Sequence, residues 1–304
     1  MKAAICTKYG GPEVLKVTET EKPTPKDREL LIKVKAAALN YGDTRVRKLE
    51  VKGFLRIIML FVLGFNKPRN PVLGTAFSGI VEQTGKNVKG FSIGDEVFGL
   101  SGFRMGAHAE YMTIPEKSMV AKKPANAAFE EAAAITLGGH TSIYFLEQAK
   151  IKERENQKVL IYGATGSVGS AAIQIAKYRN AHVTAVCSEA GKKLAMELGA
   201  DDVILYDKED FTKRNKKYDI IFDAVGKSSK KQCGHLLSGS SQYVTVAEPN
   251  MAIERIEQLE LLKTLFESGK YKAAIDRVFP LDEIAEAHRY VDTGRKKGNV
   301  VIKI

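Results

Sequence analysis

The sequence predicts an α/β protein in which a β-rich N-terminal region precedes a doubly wound parallel sheet. Short β-prone runs, separated by Gly, Pro, Asn and Lys, fill the first part of the chain, as in a small barrel or sandwich. From Lys158 onward, apolar strands alternate with helical segments, which is the βαβ rhythm of a parallel sheet. With 304 residues, 44% of them hydrophobic, the chain has room for two domains with separate cores.

The first part is predicted to be mostly strand, followed by a helical segment. The helical segment is Phe129–Leu146, and we expect Gly138 and Gly139 to interrupt it because glycine is a poor helix former. The β-prone runs before it are Leu30–Ala38, Gly79–Gly85, Asp95–Gly99 and Ala109–Ile114.

The second part alternates between strand and helix up to a C-terminal tail. In the tail, Pro280–Val291 is an amphipathic helix, and the final strand Asn299–Ile304 has no βαβ partner after it. We therefore expect that strand to return to the first domain. Helices are predicted near Ser170–Arg179 and Lys192–Leu198, between the strands Val159–Tyr162, His182–Cys187, Asp202–Leu205, Ile220–Asp223 and Tyr243–Val246.

A glycine-rich turn between the first of these strands and its helix predicts a dinucleotide site. Glycine lets phosphate oxygens approach backbone N–H groups, and the helix N-terminus adds unpaired donors and a positive dipole end. Ala164 stands in the usual place of the first glycine, so the motif is A-x-G-x-x-G. The predicted cofactor-binding residues of the turn are Gly163, Ala164, Thr165, Gly166, Ser167, Val168 and Gly169.

The residues after the second strand favour NADPH over NADH. The strand ends at Cys187 without the Asp or Glu that binds a free ribose 2′-hydroxyl. A 2′-phosphate is bound by hydroxyl donors and cations, and the candidates are Ser188, Lys192, Lys193 and Tyr206. Glu189 is the competing detail, because its carboxylate favours NADH, and the two lysines also fit a plain exposed helix start.

The charge pattern argues against a nucleic-acid partner. The formal net charge is +11, but lysines and arginines are interspersed with acidic residues and do not alternate with aromatic side chains. The cysteines Cys6, Cys187 and Cys233 are too few and too far apart for a disulfide framework or a metal cluster.

The chain is expected to be cytoplasmic and to have no membrane span. The N-terminus lacks the apolar region of a signal peptide. The longest apolar run, Phe54–Phe65, is too short to span a bilayer and contains Arg56. A half-buried helix is the first interpretation of that run, and a lid over an apolar substrate is the alternative.

The ordered motifs of the whole chain resemble the medium-chain dehydrogenase/reductase superfamily, in its zinc-independent quinone oxidoreductase (zeta-crystallin-like) branch. The resemblance implies a GroES-like β-rich domain at 1–124, completed by 271–304. It also implies a Rossmann doubly wound domain at 125–270 and a cleft that holds NADPH and substrate. Besides the glycine turn, the motifs that carry it are Pro71–Gly85, Gly94–Gly99, Tyr218–Gly226, Ala285–Tyr290 and Gly298–Val301.

The residue types in two segments show whether the chain could bind the zinc ions of the related alcohol dehydrogenases. The zinc alcohol dehydrogenases of this superfamily need a Cys early in the chain and a His-Glu pair in the Gly-rich segment. Here those segments are Ala38–Asp43 and Gly74–Gly79, which contain neither, and no Cys lies between Cys6 and Cys187. No metal ligands are therefore predicted.

The resemblance also suggests residues for the reaction centre. Asn40 matches the cleft Asn of the family, although an Asx turn explains it equally well. Tyr41 is a candidate general acid, with a packed or surface tyrosine as the alternative, and water as the other proton source. Thr141 matches a position near the nicotinamide. The residues expected to line the ring pocket are Val225, Gly226 and Val246.

The predicted function is NADPH-dependent, zinc-independent hydride transfer to a quinone or an α,β-unsaturated carbonyl compound. The alternative is an NADPH-binding sensor or adaptor with little or no turnover. The expected partner is a small electrophilic substrate. A homodimer is doubtful because the chain between Pro249 and Leu259 is shorter than is typical of the family, and that region usually carries the dimer strand.

Overall fold

The computed structural model describes residues 1–50, 54–153, 155–247 and 250–304, and for residues 54–58 it describes the backbone only. The chain is divided into two compact units. The first comprises Met1–Thr136 and Ile275–Ile304, and the second comprises Leu137–Ala274. Among the described residues, no helix is both long and apolar enough to cross a membrane.

Strands predominate in the first unit, whereas strands and helices alternate in the second. In chain order, the strands of the described residues are β1 Lys2–Cys6, β2 Leu15–Glu19, β3 Glu29–Leu39, β4 Ala76–Thr84, β5 Glu96–Leu100, β6 Tyr111–Pro115, β7 Met119–Lys122, β8 Lys158–Tyr162, β9 His182–Cys187, β10 Asp202–Leu205, β11 Tyr218–Asp223, β12 Leu237–Thr245, β13 Ile275–Pro280 and β14 Asn299–Lys303. The helices are α1 Tyr41–Lys48, α2 Phe54–Leu63, α3 Phe129–Gln148, α4 Ser167–Tyr178, α5 Lys192–Glu197, α6 Lys230–Cys233, α7 Ile256–Glu267 and α8 Ile284–Asp292.

The first unit is built around the long strand β3. Nearly every residue of β3 is buried, because it pairs with β4 along one edge and with β6 and then β14 along the other. β14 runs antiparallel to β3, with Val300 opposite Leu39. Register shifts in the β3–β4 pair, between Leu31 and Ile32 and again after Val34, bend the sheet. The curved sheet encloses an apolar core in which Phe77 is completely buried.

The second unit contains a five-stranded parallel sheet in the order β10-β9-β8-β11-β12. The central strands are apolar on both faces, as the buried runs Val159–Ile161 and Ile220–Phe222 illustrate, because helices cover both sides of a parallel sheet. All five strands end at one edge of the sheet. The predicted α/β class with a doubly wound parallel sheet is confirmed.

Helix α3 corrects one expectation from the sequence. It runs without interruption through Gly138 and Gly139, where a break was predicted. The reason is close packing: a Cβ on Gly138 would collide with the Ser167 backbone, and a Cβ on Gly139 would collide with the side chain of Leu262. Tertiary contacts therefore require small residues inside this helix, and they outweigh the low helix propensity of glycine.

Two further elements differ in detail from the sequence prediction. The last strand of the parallel sheet, β12, begins at Leu237 and ends at Thr245, so Val246 follows the strand instead of ending it. The apolar run Phe54–Phe65, predicted as a helix, forms α2, which ends two residues earlier, at Leu63. The side chains of 54–58 lie outside the described residues.

A buried ion pair joins helix α1 to helix α8 in the first unit. Arg47 is completely buried, and its guanidinium donates to Asp292 Oδ2 at 2.5 Å. Lys48 Nζ lies 2.8 Å from the other oxygen of the same carboxylate. A buried guanidinium is tolerated only with an anion beside it, so Asp292 keeps the C-terminal helix in register with α1.

We expect Asp292→Asn to lower the free energy of unfolding by about 3 kcal/mol, because it leaves the Arg47 charge buried without its anion. Urea titration followed by circular dichroism measures the change. Asp282→Asn is the matched control, because its 3.4 Å pair with Lys2 is exposed on both sides, and exposed pairs contribute below about 1 kcal/mol. Equal effects of the two substitutions would contradict the assigned role of Asp292.

Candidate functional site

The glycine turn lies at the edge where the parallel strands end. The N–H groups of Gly163 and Ala164 both bond to the Val186 carbonyl, at 3.0 and 3.1 Å, which fixes the turn to β9. Gly163 has φ +75°, a conformation that L side chains rarely adopt. Farther along the turn, a Cβ on Gly169 would collide with the Gly163 carbonyl, so α4 begins in direct contact with the turn.

The N-terminus of α4 is open for an anion. Gly166 is the N-cap residue, and it has no side chain to accept bonds from the first helical N–H groups. Apart from its neighbours in the chain, a Cβ added at Gly166 would meet only the Gly163 carbonyl oxygen, at 3.5 Å, so the space beside this N-cap position is free of close contacts. Donors without intrahelical acceptors and the positive end of the helix dipole face that space. The turn therefore fits a pyrophosphate.

Helix α3 packs against the start of α4 and brings Thr141 close to the turn. The Ser142 hydroxyl lies 2.7 Å from the carbonyl oxygens of both Gly138 and Val168, so its single hydrogen can be donated to either of them. Thr141 precedes Ser142 and is partly exposed. The predicted cofactor residue Thr141 thus lies on an element that is fixed to the glycine turn.

Ser188 and Tyr206 lie next to each other beyond the ends of β9 and β10. The Tyr206 N–H bonds to the carbonyl of Cys187 at 3.0 Å, directly before Ser188, and about half of the Tyr206 side chain is exposed. Glu189, the competing residue, forms an ion pair with Lys208 at 2.8 Å. Its carboxylate is therefore partly neutralised, which weakens the objection to a 2′-phosphate.

Sequence reasoning missed Asp207 and Lys208 at this edge. Both oxygens of Asp207 accept from the Glu189 N–H, at 3.2 and 3.0 Å, so this carboxylate holds the segment that follows β9. The signal in the sequence is their position directly after Tyr206, which is itself a candidate residue. Of the two predicted lysines, Lys193 is mostly exposed and lies 3.8 Å from Glu197, whereas Lys192 is exposed at the start of α5.

Val225 and Gly226 form a loop that packs onto the glycine turn. The buried carboxylate of Asp223 accepts from the N–H groups of Val225 and Gly226, at 3.1 and 2.8 Å. A Cβ on Gly163 would collide with the Val225 side chain, so the two loops are in contact. The Val246 N–H bonds to the Asp223 carbonyl at 3.1 Å, which adds the end of β12 to this group. The structure thus brings Val225, Gly226 and Val246 together beside the glycine turn.

In the first unit, Asn40 and Tyr41 lie at the start of α1. Asn40 is buried, and its side-chain amide donates to the Ala38 carbonyl at 2.9 Å. Its backbone N–H donates to Asp43 Oδ2 at 2.8 Å, which closes the N-terminal turn of the helix. Asn40 therefore has a local structural role, but it is that of the N-cap residue of α1, and these bonds are not those of the predicted Asx turn. Tyr41 is 55% exposed, so its hydroxyl is accessible.

Asp43 is a titratable residue that sequence reasoning missed. It is almost completely buried, and its Oδ1 has no hydrogen-bond partner among the described residues. Burial raises the pKa of the Asp43 carboxyl from 3.8 to about 7, while backbone N–H groups of Asn40 and Gly74 act in the opposite direction. Nothing in the sequence pattern signals that burial.

Two histidines are buried in the same unit. The rings of His108 and His288 meet edge to face at a centroid distance of 5.8 Å, and a Cβ on Gly74 would collide with the His108 ring. Burial lowers the pKa of His108 from 6.5 to about 3, and burial together with the neighbouring cations lowers the pKa of His288. Both rings are therefore neutral at pH 7. Among the described residues, no group of three or more His, Cys, Asp or Glu could hold a metal ion.

Comparisons with known proteins match both parts of the chain. Residues 26–125 match the family profile described as alcohol dehydrogenase GroES-like domain, and residues 167–275 match the profile described as zinc-binding dehydrogenase. A 2-methylene-furan-3-one reductase of Solanum lycopersicum is 37% identical, over 99% of this chain and 79% of its own length. An NADPH-dependent alkenal/one oxidoreductase of Arabidopsis thaliana is 32% identical over the same shares.

Solved structures agree with these matches. The quinone oxidoreductase of Coxiella burnetii superimposes with a TM-score of 0.90 at 30% identity, covering 100% of this chain and 99% of its own. A structure described as an NAD-dependent alcohol dehydrogenase has a TM-score of 0.82 at 29% identity, with full coverage of both chains.

We expect Asp43→Asn to change how stability depends on pH. A carboxyl with a raised pKa stabilises the fold only while it is protonated, so its contribution falls as pH rises from about 4 to about 7. Asparagine keeps an acceptor oxygen and has no charge to bury. The difference in unfolding free energy between variant and wild type should therefore rise over that interval, by at most about 4 kcal/mol.

Urea titrations from pH 4 to pH 8 measure this difference, and the opposite contribution of the buried histidines cancels because both proteins contain them. Asp27→Asn is the control, because Asp27 is an exposed carboxylate whose ion pair with Lys86 is also exposed. A pH-independent difference for Asp43→Asn would rule out the raised pKa.

Proposed function

The chain belongs to the medium-chain dehydrogenase/reductase superfamily of oxidoreductases, and we propose that it is an NADPH-dependent, zinc-independent reductase of quinones or α,β-unsaturated carbonyl compounds. The observation that carries the proposal is the open N-terminus of α4 behind the glycine turn, at the edge where the parallel strands end. In open α/β sheets, this edge is where dinucleotides bind. The acceptor class follows the names of the reductase and oxidoreductase relatives.

The proposed cofactor is NADPH rather than NADH. Ser188 and the accessible Tyr206 hydroxyl supply donors at the ribose end, and Lys192 supplies a cation. The ion pair between Glu189 and Lys208 supports this preference, because an engaged carboxylate repels a 2′-phosphate less than a free one. Lys193 contributes charge from farther out, since it is mostly exposed and lies near Glu197.

The proposed reaction requires no metal ion. When bound, NADPH supplies the hydride from its nicotinamide ring, and an electrophilic acceptor does not need a Lewis acid. The proposed apolar contacts for the ring are Val225 and Val246, and the proposed polar contact is the Thr141 hydroxyl. Orientation of the acceptor against the ring accelerates hydride transfer, because it converts a bimolecular encounter into a reaction between two groups held in place.

Asn40 and Tyr41 are proposed to contact the acceptor. A side-chain amide nitrogen carries two hydrogens, and the bond to Ala38 uses one of them, so the proposed bond to the acceptor oxygen uses the other. The exposed Tyr41 hydroxyl is the proposed proton donor, with water as the alternative source. The three residues Asn40, Tyr41 and Asp43 share the first turn of α1.

We expect Gly166→Asp to weaken NADPH binding at least about a hundredfold, because its carboxylate would stand in front of the helix where the phosphates bind. Fluorescence of bound NADPH measures affinity, and loss of NADPH absorbance with a panel of quinones and enones measures turnover. Gly239→Asp is the matched control, because a Cβ at Gly239 meets nothing within 4 Å and the residue lies in the same unit.

Each result of that experiment bears on a different part of the proposal. Unchanged NADPH affinity in Gly166→Asp would contradict the assigned phosphate site. NADPH binding by the wild type without oxidation by any quinone or enone would overturn the reductase assignment and favour the sensor alternative.

The cofactor preference has its own test in Ser188→Asp. A carboxylate after β9 repels a 2′-phosphate and accepts from a free 2′-hydroxyl, so the ratio of NADPH to NADH affinity should fall about a hundredfold. Ser188→Ala removes only the hydroxyl and should lower the ratio much less. An unchanged ratio in Ser188→Asp would show that Ser188 does not face the ribose.

A further inference from the structure

An apolar patch lies exposed at the end of helix α2 in the first unit. The side chains of Phe61, Val62 and Phe65 are 60%, 52% and 58% exposed. The two phenylalanine rings meet edge to face, with centroids 5.1 Å apart. Scattered single apolar residues are normal on protein surfaces, but a contiguous aromatic group at a helix end indicates an interaction site.

The opposite face of the same helix is anchored in the core. Leu63 is buried, and Met59 and Leu60 pack against the apolar core of the first unit. The Tyr9 hydroxyl donates to the Gly64 carbonyl at 2.9 Å, just after the helix ends. The exposed side chains are therefore held outward by a fixed helix and do not result from a frayed end.

Basic residues adjoin this patch. Lys67 and Arg69 follow it directly and are exposed, and the Arg69 guanidinium donates to the Phe61 carbonyl at 2.7 Å. No Asp or Glu occurs between Glu50 and Glu82, a stretch that contains the cations Lys52, Arg56, Lys67 and Arg69. We call Phe61, Val62, Phe65, Lys67 and Arg69 the α2 patch.

A third exposed aromatic residue lies beside the α2 patch. The Asn70 amide donates to the Arg104 carbonyl at 2.5 Å, which brings the turn at 102–104 next to the segment after α2. In that turn Phe103 is 64% exposed, and the Arg104 side chain is 60% exposed. The surface therefore combines large apolar side chains with cations over more than one loop.

The size and charge of this surface favour a lipid bilayer over a protein partner. The four exposed apolar side chains offer on the order of 400 Å², whereas a stable dimer buries about 800 Å² per subunit. A membrane interface accepts a few inserted aromatic side chains, and anionic headgroups attract the neighbouring cations. We propose that the α2 patch docks the protein on an anionic lipid surface.

Sedimentation with vesicles tests this proposal on the full chain. The wild type should bind vesicles of phosphatidylcholine with phosphatidylserine more strongly than vesicles of phosphatidylcholine alone, and salt should weaken the binding. Phe61→Ser with Phe65→Ser should reduce binding about tenfold or more through lost insertion. Lys67→Glu should reduce it at least about fivefold, because one basic residue near an anionic surface contributes that much.

Ile93→Ser is the matched control, because Ile93 is also an exposed apolar residue of the first unit, at 69% exposure, but does not belong to the α2 patch. It should bind vesicles as the wild type does. Circular dichroism confirms that each variant is folded.

Two results would overturn the proposal. One is equal vesicle binding by the wild type and the Phe61, Phe65 double variant. The other is that the wild type does not bind vesicles but forms a dimer on gel filtration, and that the double variant is a monomer. That result would identify a second copy of the chain as the partner of the α2 patch.

Discussion

The approach of helix α4 to the glycine turn is the constraint on which the candidate site depends. Backbone donors reach a phosphate only if no side chain stands between them, so glycine is required at the points where the turn and its neighbouring elements touch. Gly169 rests on the Gly163 carbonyl, Val225 packs over Gly163, and Gly138 of α3 rests on the Ser167 backbone. Three elements therefore meet the turn through glycine contacts. A larger residue at any of these positions would move the backbone that binds the cofactor.

The sequence predicts those parts of the fold that depend on local patterns. The bounds of β9 and β10 agree with the predicted strands, because short apolar runs between turn residues are a strong strand signal in a parallel sheet. The family resemblance is confirmed, since it rested on motifs spread over the whole chain. The continuity of α3 was predicted wrongly, because the contacts of Gly138 with Ser167 are distant in sequence and no local propensity reveals them.

The candidate site divides in the same way. The glycine turn and Ser188 could be selected from the sequence, because their chemistry follows from residue type and position after a strand. Asp43 could not, since its raised pKa results from burial that depends on how α1 packs in the first unit. The pairing of Glu189 with Lys208 was equally hidden, and it changes the electrostatics at the ribose end. The protonation state and the ion pairing of charged side chains in a site therefore require coordinates.

The pairing of β14 with β3 has a consequence for how the chain folds during synthesis. The second unit is one continuous segment, Leu137–Ala274, whereas the first unit needs Ile275–Ile304 to complete its sheet. The ribosome therefore releases every strand of the parallel sheet before it releases β14. In most multidomain chains the N-terminal domain folds first, but here the segment translated first must wait for residues about 260 positions later to cover β3. Until then, the edge of β3 that β14 later covers is open to pairing with other strands. The nascent chain avoids such pairing only if chaperones shield this edge or if translation and folding are completed quickly.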